Sequence, residues 1–196
     1  MEFTDLAPGY FAMFAEAAIT SPIETTEIAQ RIAVHKDRYT AVEELTLNLG
    51  RKVPWFVVGI IHSLECDLDF TQHLFNGDPL TARTVNEPVG QPHDGTAPFL
   101  WEFSAARALQ YDGLDRWTEW DVAGICYCLE KYNGWGYRTR GVNSPYLWSG
   151  SDQYKIGKYT SDGRFDPSAK SDEIGGAILL KYFTSNHLVS LEEQPV

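Results

Sequence analysis

The stretch Val53-Pro54-Trp55-Phe56-Val57-Val58-Gly59-Ile60-Ile61-His62-Ser63-Leu64-Glu65 constrains this chain more than any other. Its apolar residues follow one another without the polar stripe of an amphipathic surface helix. Pro54 suits a first helical turn, where its missing N–H costs nothing. The pattern predicts a buried helix over about 53–65, with other elements packed around it. Glu65 stands at its end. A carboxyl held against apolar walls keeps its proton near neutral pH, because desolvation disfavours the charged form. Such an acid can protonate a leaving sugar oxygen. The other reading of Glu65 is a residue that marks where the helix reaches water.

The rest of the chain reads as further helices. Gly9 to Ile19 predicts one over about 8–20, broken by Thr20-Ser21-Pro22. A more polar helix follows over about 23–49, and Gly50-Arg51-Lys52 turns the chain into the buried helix. Residues 67–99 carry Asn76-Gly77-Asp78-Pro79, Glu87-Pro88 and Asp94-Gly95, which is turn chemistry. An irregular segment of that length inside a compact domain is usually functional. Helices resume over about 98–109 and 118–131, the second with Val122, Ala123, Ile125, Cys126 and Leu129 at helical spacing. Residues 141–171 read as loop, and a last helix covers about 172–184. The expected fold class is mainly α, one domain over 1–196, with a turn-rich or small β insertion after Glu65.

Composition removes several functions. The net charge of −11 opposes a nucleic-acid backbone or an anionic membrane as partner. It also gives no attraction to an anionic cell wall. No apolar run reaches the length that spans a bilayer. The start, Met1-Glu2-Phe3-Thr4-Asp5, lacks the basic segment of a secretory signal, so the expected place of synthesis is the cytoplasm. The three cysteines, Cys66, Cys126 and Cys128, make no disulfide framework and read as small buried hydrophobes. The five histidines form no paired-ligand pattern, so neither a metal nor a cofactor is expected.

Leu64-Glu65-Cys66 at a helix end, then a turn-rich segment, then Lys131-Tyr132-Asn133-Gly134 at the end of a later helix form a combination. It resembles the lysozyme-like superfamily, in particular goose-type lysozymes and bacterial lytic transglycosylases, over roughly residues 53–138. In those families the first helix ends in Glu-Ser and the later one in Ala-Tyr-Asn-Ala-Gly. Here Cys66 replaces the Ser, and Asn76-Gly77-Asp78-Pro79-Leu80-Thr81-Ala82-Arg83-Thr84 stands where a Gly-Leu-Met/Gln-Gln stretch is expected. The resemblance implies a lysozyme-like fold and an enzyme that cleaves β-1,4 bonds between amino sugars of peptidoglycan. Glu65 matches the catalytic Glu and would be its general acid. Tyr132 and Asn133 match the Tyr-Asn pair; Tyr132 would point its hydroxyl toward the acid or the substrate, and Asn133 would hold a backbone or sugar contact. Such an enzyme reaches the wall by export, injection or lysis, as an endolysin does.

No motif fixes a second carboxylate. Asp67, Asp69 and Asp78 follow Glu65 closely. Asp78 is the choice, as a water-activating group of an inverting mechanism; its other reading is a turn residue. His62 lies one helical turn before Glu65 and either tunes the acid and binds substrate or is a core histidine. Trp135 and Tyr137, with Tyr146 and Trp148, suit stacking on sugar rings or form a hydrophobic cluster under a loop. Arg138 and Arg140 suit a carboxylate of a muropeptide or offset local acidity. Asp162-Gly163-Arg164-Phe165-Asp166 fails calcium-loop spacing and reads as a turn. Two other classes stand beside the muramidase or lytic transglycosylase. One is a chitinase or chitosanase, favoured by the acidic charge because chitosan is polycationic. The other is a non-catalytic glycan-binding or structural component of a phage or secretion assembly.

Overall fold

The computed structural model describes residues 1–161 and 163–191; Asp162, the first residue of the stretch read as a turn, lies outside them, and Arg164–Asp166 of that stretch form a strand rather than a turn. The fold is mainly α, and the chain forms two compact units, Arg31–Thr118 and Met1–Gln30 with Glu119–Val196. The first is the central unit below, the second the terminal unit.

The central unit holds α3 (Lys36–Leu49), α4 (Trp55–Cys66), α5 (Trp101–Tyr111) and a single 3₁₀ turn at Leu114–Arg116. Helix α3 packs on both α4 and α5. Every residue of α4 from Phe56 to His62 is buried, about two full turns with no exposed face. This is the buried helix that the apolar run predicts. Val57, Val58, Ile60 and Ile61 have no exposed surface, and each such burial contributes about 2 kcal/mol before entropy is counted. Gly59 permits a close approach: a Cβ there would stand 2.4 Å from Ile32 Cγ2 and 3.2 Å from Tyr39 Cε2.

The terminal unit holds α1 (Phe3–Glu16), α6 (Val122–Asn133), the short helices α7 (Gly136–Thr139) and α8 (Pro145–Trp148), strands β1 (Lys158–Ser161) and β2 (Arg164–Asp166), and α9 (Gly176–Ser185). Helix α1 packs on α6; α6 meets α8 and α9, and α8 packs on α9. Helix α2 (Pro22–Val34) runs from the terminal into the central unit.

Several elements differ from the sequence expectation: the helix expected over about 8–20 runs over Phe3–Glu16, and the segment expected as loop over 141–171 holds α8. The helix expected over about 23–49 is two helices, α2 and α3, interrupted at His35. No Gly or Pro marks that break; the His35 ring instead packs edge-on against Phe70, 4.8 Å between centroids. The β structure expected as one form of the insertion after Glu65 lies elsewhere. Among the described residues, 67–100 contain only the isolated bridge Gln72–Pro79, while an antiparallel hairpin, β1–β2, occupies part of the segment read as loop. Gly163 turns it at a φ of 68°, and Tyr159 stands opposite Phe165 as a cross-strand aromatic pair.

Candidate active site

The last turn of α4 brings Glu65 to the surface. His62 and Cys66 are buried, Ser63 and Leu64 half-buried, and Glu65 exposed. The expectation of a carboxyl held against apolar walls is therefore corrected: the helix reaches water at this residue. The rigid base beneath it is as expected. Cys66, where the resembled families carry Ser, points inward, and its Sγ donates to the His73 carbonyl at 3.6 Å. Burial, with the charges of Glu65 and Asp69, pushes its thiol up to about 12, so it stays a thiol.

The backbone after Glu65 is strained. Asp67 has φ 45° and ψ 37°, and Leu68 has φ 61°, two consecutive non-glycine residues in the left-handed region. Each costs about 1–3 kcal/mol, and such residues cluster at functional sites. The N–H groups of Asp67 and Leu68 both donate to the His62 carbonyl and close the helix end. Arg31 fixes the turn from outside, through Asp67 Oδ1 at 3.3 Å and the Asp67 carbonyl at 3.0 Å. Asp69 then accepts from the Thr71 hydroxyl and N–H and from Gln72 Nε2. The two Thr71 donors hold its carboxyl below the usual range.

Asp78 organises the loop that follows. Its carboxylate accepts four hydrogen bonds, from Val85 N (2.7 Å), Asn86 N (2.9 Å), Asn86 Nδ2 (2.7 Å) and Asn76 Nδ2 (3.0 Å). These donors, led by the Asn86 N–H, hold it below the ordinary carboxylate range. With Oδ2 accepting three of these bonds and Oδ1 one, and its pKa held down, the carboxylate is a weak base towards water, and the turn-residue reading of Asp78 accounts for its geometry. His73 pins the same loop to α5. Its Nδ1 meets Ser104 Oγ at 2.6 Å and its Nε2 the Ala82 carbonyl at 2.8 Å; the carbonyl can only accept, so Nε2 carries the proton and Ser104 donates to Nδ1.

His62 belongs to the core. It has no exposed surface, so the expected substrate contact is corrected. Its ring sits among Trp101, Phe70 and Tyr39, with centroids at 4.4, 4.6 and 6.0 Å. Its Nδ1 meets Tyr39 Oη at 3.1 Å, while Nε2 is buried without a hydrogen bond among the described residues. Desolvation pushes its pKa down to about 4; the Asp69 backbone opposes this without closing a hydrogen bond to Nε2.

Tyr132, Asn133, Trp135, Tyr137 and Arg138 lie together where α6 runs into α7, in the terminal unit, whereas Glu65, His62 and Asp78 lie in the central unit. Asn133 is exposed, and Tyr132 and Trp135 are half-buried, Trp135 tilted against Tyr127. Tyr137 is buried; its hydroxyl accepts from the Tyr159 N–H, and its ring meets Tyr159 and Phe165 edge-on. Tyr146 and Trp148 are buried as well. The sugar-stacking reading of these three aromatics is thus corrected to a hydrophobic cluster, with the hairpin packed on Tyr137.

Arg138 is corrected from ligand binder to internal partner. It grips Glu130 with Nε at 3.0 Å and a terminal nitrogen at 2.5 Å, and Tyr10 donates its hydroxyl to the same carboxylate at 2.5 Å. Glu130 is 2% exposed and Tyr10 1%. Sequence reasoning missed this triad, although Glu130 falls four residues after Cys126, on the apolar face of α6. A charge at such a position requires a buried partner.

Among the described residues no group of three His, Cys, Asp or Glu side chains can hold a metal ion, and no helix is long and apolar enough to cross a membrane. Compared with models of protein families, with curated proteins and with solved structures, the chain gives no match.

Proposed function

We propose that the chain is a glycosidase that cleaves β-1,4 bonds between amino sugars of peptidoglycan, with Glu65 as general acid. The observation that carries this reading is the placement of Glu65: an exposed carboxyl in the last turn of a helix buried from Phe56 to His62, followed after Cys66 by two strained residues and a densely bonded loop. A general acid must be held in one position and still be open to substrate. The buried turns of α4 supply the first condition and the exposed last turn the second. Glu65 gives its proton to the glycosidic oxygen as the bond from that oxygen to the anomeric carbon breaks.

The occupied carboxylate of Asp78 favours a mechanism without a water-activating partner there. The substrate's own 6-hydroxyl is then the nucleophile: its oxygen bonds to the anomeric carbon, its proton passes to the Glu65 carboxylate left by the first transfer, and the product ends in a 1,6-anhydro sugar. Digestion of purified peptidoglycan, with mass analysis of the released ends, tests this: anhydro ends support the lone-acid route, and reducing ends support hydrolysis. The exposure of Glu65 favours one second reading, a non-catalytic glycan-binding module, which binds the polymer and releases nothing. Chitin and chitosan assayed beside peptidoglycan identify the glycan.

A further inference from the structure

The acidic chain carries one basic stretch. Residues 131–170 hold seven Lys and Arg against three Asp, a local balance of +4 in a protein of net charge −11. Two of these cations face acidic partners: Arg138 is taken by Glu130, and Lys158 stands 4.0 Å from Glu173 and opposite Asp166 across the hairpin. Arg140 differs from both. It is exposed and makes no ion pair with any described residue. Its guanidinium carbon stands 4.7 Å from the Phe165 ring centre and 5.6 Å from that of Tyr159. Its Nε donates to Tyr159 Oη at 2.9 Å. The shelf beneath is itself fixed, since Tyr159 N–H donates to Tyr137 Oη and the Tyr159 and Phe165 rings meet edge-on at 5.3 Å.

A guanidinium held over two rings and anchored through Nε has already lost most of its freedom. Its terminal nitrogens form the planar fork that matches a carboxylate. Binding such a group costs little further ordering. Phosphate polyanions fit less well, because their dense charge meets the repulsion of the whole acidic chain.

We infer that Arg140, on the Tyr159–Phe165 shelf, is a binding site for a carboxylate of the cell-wall polymer, borne either by the lactyl ether of its muramic acid or by its stem peptide. This deepens the function proposed above and rests on it for the identity of the polymer, but not for cleavage.

Calorimetric titration of the full chain carrying Glu65→Gln, which leaves the strands uncut, tests it with four probes. These are peptide-free glycan strands with muramic acid, the same strands bearing peptide, chitin oligomers of equal length, and a short DNA duplex. The expected result is binding of at least one muramic acid probe about tenfold tighter than chitin, with Arg140→Ala abolishing the preference and Arg140→Lys restoring only part of it. A preference for the peptide-free strands assigns the lactyl carboxylate, and one that appears only with peptide assigns the stem. Equal affinity for muramic acid strands and chitin overturns the inference, as does a preference that survives in Arg140→Ala, or DNA bound as tightly as the glycan. Arg140→Gln, with an unchanged melting temperature, guards against loss of fold. Cleavage of peptidoglycan by the wild-type chain is scored separately, so an active enzyme without carboxylate preference fails this inference alone.

Discussion

Acidification should strip stability from the central unit through His62. The ring has no exposed surface, its Nε2 makes no hydrogen bond among the described residues, and the pKa in the folded chain is down to about 4. In the unfolded chain the same imidazole titrates near 6.5. Above pH 6.5 both states are neutral and nothing is lost. Between 6.5 and about 4 only the unfolded state takes the proton, so stability falls as the pH falls. At pH 5 the loss is about 2 kcal/mol, and over the whole window about 3 kcal/mol. Denaturant unfolding of the wild type and of His62→Gln at pH 7 and pH 5 isolates it, since carboxylates common to both chains cancel in the difference. The wild type should lose about 2 kcal/mol more than the variant between the two pH values. A stability gap that does not change with pH would refute the reasoning, as would faster amide exchange confined to residues outside α4 and its neighbours.

Gly59→Ala should destabilise by about 1–3 kcal/mol, because its methyl meets Ile32 Cγ2 at 2.4 Å; denaturant midpoints with an unchanged slope check this. Arg138→Met leaves the Glu130 carboxylate buried with Tyr10 alone and should cost about 3 kcal/mol. Adding Glu130→Gln should return part of that loss, and purely additive effects would deny the coupling. Asp78→Asn should speed amide exchange at Val85 and Asn86, whose N–H groups it anchors, and leave turnover per folded molecule nearly unchanged. A strong loss of turnover with the loop intact would restore Asp78 to the chemistry.

The elements legible in the sequence are those written in local patterns. An apolar run longer than a usual strand, led by Pro54, points to a buried helix, so α4 and the position of Glu65 near its end could be read directly. The depth of Glu65 could not, because i+3 and i+4 neighbours of one buried residue can face either core or water, and the pattern stops where the helix does. The break at His35 carries no punctuating residue; packing against Phe70 selects it. Asp78 in Asn-Gly-Asp-Pro looked equally suited to a turn and to catalysis, and four donors, two of them on Asn86, decide between them. Arg138 and Arg140 are two residues apart and chemically identical. Only the buried Glu130 on one side and the aromatic shelf on the other give them different fates. Such pairings are selected by how the elements pack, and no local period encodes them.

The account turns on Glu65, and one comparison tests it most directly: release of soluble fragments from purified peptidoglycan by the wild type and by Glu65→Gln, with melting temperatures measured on the same samples. The substitution preserves shape and hydrogen bonding and removes only the ionisable proton. The account predicts cleavage by the wild type and a fall of at least about a hundredfold in the variant, at the scale of general acid catalysis, with the melting temperature unchanged. A variant that cleaves at the wild-type rate, or a wild type that binds the polymer and releases nothing, would contradict it.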